Sequence, residues 1–243
     1  MAGNWKMYKT PSETRAFFEK FAPAVAGANE RDIVICPPFV NLPAAVDATA
    51  NTNIDIGGQN LFWEVKDGAY TGEISGRMLK GAGVRWVIVG HSERRQHFGE
   101  TDETVYKRTC AALEAGLKPI VCVGELLQDR ESGRTNWVLE QQFTHGIAKL
   151  SDEQFSKIAI AYEPVWAIGT GKTATPEIAA DAHRSIRGQV QAKYGNGDVR
   201  ILYGGSVKPD NIKGLMAQEE IDGVLVGGAS LDPASFAAIV NQW

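Results

Sequence analysis

The sequence predicts an α/β fold, a single (β/α)8 barrel, and two observations carry the prediction. Short β-branched runs recur along 243 residues, separated by stretches that open with helix-start signals. These runs are apolar almost throughout rather than alternating, as strands covered on both faces are. No linker, Pro/Gly-rich spacer or low-complexity segment divides them, so one domain spanning residues 1–243 is expected. Eight βα units in an undivided chain of this length fit a closed barrel better than an open doubly wound sheet.

The strands are expected at 1–5, 33–36, 54–57, 86–89, 120–123, 158–161, 199–202 and 224–226. The first is unusually short, and its N-terminal end is expected to fray for want of ladder partners. Helix starts are legible at Ser151 with Gln154 three residues on, at Thr175 before Pro176 and at Asp232 before Pro233. The connection from Gln59 to Gly83 is long for a βα loop.

Composition removes several classes of function. With 25 Lys and Arg against 29 Asp and Glu, the formal net charge is −4, so a general nucleic-acid binder is disfavoured. No stretch is long and apolar enough to span a bilayer, and the first residues lack a signal-peptide pattern. Cys36, Cys110 and Cys122 form no C-x-x-C pair and lie in apolar runs, which fits inert thiols in a reducing cytoplasm. No H-E-x-x-H or similar spacing occurs, and neither a metal nor a cofactor is expected.

Barrel enzymes build their sites on the loops after the strands, and here those loops carry chemistry. Asn4 and Lys6 follow strand one, His91-Ser92-Glu93 strand four, Glu163-Pro164 strand six, Gly204-Gly205-Ser206 strand seven and Gly227-Gly228 strand eight. The two glycine pairs can bring backbone N–H groups against a phosphate, although a tight turn with positive φ would need glycine as well. Glu163 reads equally as a buried base or a salt-bridged structural acid, and His91 as a catalytic or a satisfied buried imidazole. Glu93, Glu125 and Glu163 also raise a glycosidase pair, against which the phosphate turns speak. Residues 166–173 fail the P-loop pattern, because the required first glycine is Trp166, and instead suggest a lid with a mobile tip.

Taken together, residues 2–7, 59–75, 90–95, 161–172, 203–207 and 226–231 closely resemble the triosephosphate isomerase family, in the right order along nearly the whole chain. That resemblance implies interconversion of dihydroxyacetone phosphate and D-glyceraldehyde 3-phosphate through an enediolate, as in glycolysis and gluconeogenesis. It implies Glu163 as the base, His91 as the electrophile that shuttles protons between oxygens, and Lys6 and Asn4 facing the developing oxyanion. Gly169, Ser206, Gly227 and Gly228 would bind phosphate, Ile168 and Leu225 would clamp the base, and Ser92 and Glu93 would support the site. A homodimer is implied too, with Thr71, Tyr70, Glu73 and Arg94 at its interface. Two other readings stand beside this one: another sugar-phosphate barrel enzyme, and an inactive barrel kept for binding.

Overall fold

The computed structural model describes residues 1–168 and 174–242. Eight parallel strands close in chain order: β1 (Ala2–Asn4), β2 (Ile33–Cys36), β3 (Ile54–Gly58), β4 (Trp86–Val89), β5 (Lys118–Val123), β6 (Ala159–Tyr162), β7 (Arg200–Tyr203) and β8 (Gly223–Val226). The helices are α1 (Pro11–Val25), α2 (Leu42–Thr49), α3 (Gly76–Gly81), α4 (Ser92–Phe98), α5 (Asp102–Glu114), α6 (Leu127–Glu131), α7 (Thr135–Gly146), α8 (Asp152–Phe155), α9 (Pro176–Tyr194), α10 (Ile212–Met216) and α11 (Pro233–Asn241).

The period of two along each strand divides the core in two. Ala2, Val34, Cys36, Trp86, Ile88, Ile120, Cys122, Ala159, Ala161, Leu202 and Leu225 form one buried cluster, the filling of the barrel. Their neighbours, such as Ile33, Ile35, Val87, Val89 and Ile201, pack instead with the helices in a second, larger cluster. In that outer layer α1 sends Phe17, Phe18 and Phe21 inward, and full burial of each ring is worth about 2–3 kcal/mol.

β1 is short as expected, three residues where 1–5 was read, yet it pairs with β2 and with β8. The expected fraying is therefore corrected. Val34 donates to the Met1 carbonyl at 2.9 Å, and Trp5, fully buried, donates from its indole to the Ser230 carbonyl at 3.0 Å, so both ends of the strand are tied. The helix starts at Ser151, Thr175 and Asp232 all have side-chain caps. β5 begins two residues earlier than expected and so includes Lys118, whose ammonium sits 5.0 Å from the Trp86 ring centroid at the end of the barrel away from the candidate site.

His183 of α9 is fully buried, and its Nδ1 donates to the Glu220 carbonyl at 3.1 Å, which fixes the neutral tautomer. Burial pulls its pKa from 6.5 down to about 4. Between those values the unfolded chain binds a proton that the folded chain refuses, so stability falls as pH drops from 6.5 to 4. The expected loss from this residue is about 3 kcal/mol, and urea titrations of wild type and His183→Gln should show a shallower acid decline in the variant. Parallel declines in the two proteins would refute the assignment.

Candidate active site

All the strands run the same way, so the loops after β1, β4, β6, β7 and β8 meet at one rim of the barrel. There a cavity of about 510 Å³ is lined by Asn4, Lys6, His91, Glu163, Ile168, Ser206, Leu225, Gly227 and Gly228. The structure thus brings together every cavity-forming residue picked from the sequence except Gly169, which lies outside the described residues. The expected lid tip over 169–173 lies outside them as well. Lys208, Asp232 and Ser235 line the same cavity and were not anticipated, since nothing in their local pattern sets them apart from surface residues.

His91 stands just before α4 and caps it. Its Nδ1 accepts the Glu93 N–H at 3.2 Å, so the ring proton belongs on Nε2, which lies 2.8 Å from Glu163 Oε1. Glu163 in turn is wholly enclosed. Its Oε2 accepts the Ser92 N–H at 2.8 Å and its Oε1 faces the Ser92 hydroxyl at 3.3 Å. Burial alone would raise its pKa, but His91, the Ser92 N–H and Lys6 together hold it below the usual carboxylate value. The carboxylate is consequently in its proton-accepting form.

For His91, burial pulls the pKa down and the facing Glu163 carboxylate pulls it up, with the carboxylate prevailing in the free site. That upward pull depends on Glu163 lying 2.8 Å from His91 Nε2. Glu93 adds to that pull, while Lys6 opposes it alongside burial.

Lys6 reaches across the rim to Glu93, Nζ to Oε1 at 2.6 Å, while its own N–H donates to Asn4 Oδ1 at 3.0 Å. Glu93 also lies 3.7 Å from His91 Nδ1, and its side chain is 39% exposed, which leaves it at the edge rather than within the cavity. Lys6 is held at φ 51, a left-handed backbone that is costly for any side chain and is often found at working sites.

Gly204, Gly205, Gly227 and Gly228 all lack positive φ, which corrects one of the two roles weighed for them, and at Gly204 and Gly205 the need is close approach. A Cβ on Gly204 would lie 3.0 Å from Glu163 Cγ, and one on Gly205 would lie 2.2 Å from the Tyr203 hydroxyl. Gly227 has φ −85 and ψ −111, a combination that side chains avoid, and it turns the chain from β8 into the short helical turn at Gly228–Ser230. Glu125, weighed as a glycosidase acid, is buried elsewhere. It accepts from Tyr162 at 3.1 Å and Trp166 at 2.8 Å and does not line the cavity.

The fold and these groups define a barrel enzyme equipped to move protons beside a bound anion. The triosephosphate isomerase family model matches residues 1–243. The chain is 70% identical over 244 residues to triosephosphate isomerase of Solibacter usitatus, covering 99% of this chain and 98% of that protein. It is 54% identical to the enzyme of that name from Citrifermentans bemidjiense, covering 99% and 97%. The crystal structure of triosephosphate isomerase from Bartonella henselae superposes with a TM-score of 0.89 at 38% identity, covering 100% of this chain and 98% of that one. The chain belongs to the triosephosphate isomerase family.

Proposed function

We propose that Glu163, His91, Lys6 and Asn4 carry the reaction, with Ser206, Gly227 and Gly228 receiving the phosphate and Gly169 completing that set. The reaction is interconversion of dihydroxyacetone phosphate and D-glyceraldehyde 3-phosphate, an aldose-ketose isomerisation of triose phosphates. The observation that carries the reading is the ionised Glu163 enclosed against His91 on the wall of a cavity that ends in glycine turns. Removing a proton next to a carbonyl needs a base at carbon and donors at the oxygen that gains charge. Glu163 supplies the first. His91 Nε2–H, the Lys6 ammonium and the Asn4 amide supply the second.

In the free site Glu163 spends both oxygens on Ser92 and His91, so productive binding requires it to exchange one of these partners for the substrate C–H. Leu225 and Ile168 line the cavity with apolar surface, and dehydration there strengthens the carboxylate as a base. A coupled assay on the purified chain with D-glyceraldehyde 3-phosphate is the direct test. Turnover indistinguishable from a no-enzyme control would overturn the reading.

The functional unit is read as a homodimer of single-domain protomers in the cytoplasm. Supporting the dimer, Met7, Tyr8, Val40, Tyr70 and Phe98 are exposed around the rim, Met7 by 93%. Beside the catalytic cavity lies a second hollow of about 490 Å³ lined by Lys6, Met7, Tyr8, Glu93, Arg94 and Phe98. The 59–75 loop of a second copy, with Thr71 at its exposed tip, is the occupant that reading assigns to it. Supporting the compartment, all three cysteines are free thiols.

A further inference from the structure

The loop that follows β1 is strained twice. Lys6 at φ 51 and Lys9 at φ 72 are the only non-glycine residues with positive φ among the described residues. Each left-handed position costs a side-chain-bearing residue about 1–2 kcal/mol, so something must hold this segment in place.

Two side-chain amides do so from neighbouring strand ends. Gln59, just past β3, donates to the Lys6 carbonyl at 2.8 Å and the Cys36 carbonyl at 2.9 Å. Asn41, between β2 and α2, donates from Nδ2 to the Lys9 carbonyl at 2.8 Å. The Lys9 ammonium completes the closure, 5.3 Å from the ring centroids of both Trp5 and Phe17.

Asn41 is the more telling of the two amides. It occupies the N-cap position of α2, where asparagine is favoured because its oxygen usually accepts a helix N–H, yet it makes no such bond. The side chain is fully buried, and its Oδ1 has no hydrogen-bond partner among the described residues. A buried polar atom left unpaired costs about 1–3 kcal/mol, so an apolar side chain would pack here at lower cost. What the fold retains at this position is the donor aimed at Lys9.

We infer that Asn41 is a positioning residue for the isomerisation: by fixing the Lys9 carbonyl it holds the strained loop, and with it Lys6, in register with the phosphate site. The inference rests on the assignment of Lys6 to substrate binding made above. Because Lys6 faces the oxygen that gains charge and also offsets the charge of the bound phosphate, loosening it should raise KM and lower kcat together.

The test uses Asn41→Leu and Asn41→Ala, each alone and combined with Lys9→Gly, with Lys6→Met as a control. Steady-state kinetics, the affinity for 2-phosphoglycolate and thermal melting are measured on every protein. Asn41→Leu is expected to melt within a few degrees of wild type, since the lost bond is offset by removal of the unpaired oxygen. Its KM and its 2-phosphoglycolate Kd should nevertheless rise about five- to tenfold, and kcat should fall with them.

Glycine adopts φ 72 without strain, so the same Asn41 substitutions should cost clearly less in the Lys9→Gly background. Lower melting temperatures with unchanged 2-phosphoglycolate affinity would reduce Asn41 to a packing role and overturn the proposal. Equal losses in both backgrounds would also overturn it. Should Lys6→Met itself leave 2-phosphoglycolate binding intact, the assignment of Lys6 fails, and that failure is distinct from a failure of the Asn41 hold.

Discussion

Glu163→Gln is expected to lower kcat by about a thousandfold or more while leaving a folded, ligand-binding protein, because general bases of this kind contribute about 10²–10⁴ in rate and this one acts at the chemical step. The amide keeps the volume of the carboxylate, so the closely packed Gly204, whose missing Cβ leaves room for Glu163 Cγ, is not disturbed. Hydrogen bonding changes more than packing does. The amide oxygen can accept from the Ser92 N–H or from His91 Nε2, but the amide NH2 then faces the other donor. That mismatch costs about 1–2 kcal/mol, and the loss of a buried charge offsets part of it. A melting decrease of several degrees at most follows for a chain of this size. Turnover within tenfold of wild type in a folded Glu163→Gln protein would remove Glu163 from the chemical step.

The same pair of residues shows where reading from sequence stops. The position of Glu163 at a strand end followed by proline was legible, and so was His91 before Ser-Glu, because strands and their ends follow from β-branched runs and the loops that interrupt them. The eight strands were located to within a residue or two for the same reason, and only β1 was misjudged. The five residues read for it, 1–5, looked too few for a ladder, but a parallel barrel gives the three that form it a partner on each side, a tertiary effect that no local pattern encodes. Spacing alone left Glu163 level between a base and a structural acid, and the family resemblance rather than any local pattern favoured the base. Asn41 left no signal at all: an asparagine before a helix reads as an ordinary cap, and only the course of a loop 32 residues earlier in the chain shows what its amide donates to.

Thr71→Arg is expected to separate the protomers and to make activity depend on protein concentration. The loop bearing Thr71 is preformed: Phe62 stacks near Trp63 and Tyr70 at centroid distances of 4.3 and 4.8 Å, and Arg77 pairs with Asp67 across its base. Its exposed tip is therefore a fixed shape rather than a flexible strand, and a guanidinium placed there cannot easily fold aside. In the proposed dimer that guanidinium would enter a hollow lined by Lys6 and Arg94, whose charges Glu93 and Glu100 already pair, so it would find no free carboxylate there. Burying the guanidinium unpaired costs about 2–5 kcal/mol at each such contact. The contact occurs twice in a symmetric dimer, so at 1.4 kcal/mol per tenfold the dimer dissociation constant should rise by roughly three orders of magnitude or more.

Without the neighbouring loop, Met7 and Tyr8 stay exposed and the strained backbone at Lys6 loses its cover. Specific activity should therefore fall by about two orders of magnitude on dilution and recover as concentration is raised, whereas wild type should show no such dependence over the same range. Sedimentation velocity run in parallel decides whether the two transitions coincide. An undissociated dimer of full activity would mean that Thr71 faces solvent rather than a second copy of the chain.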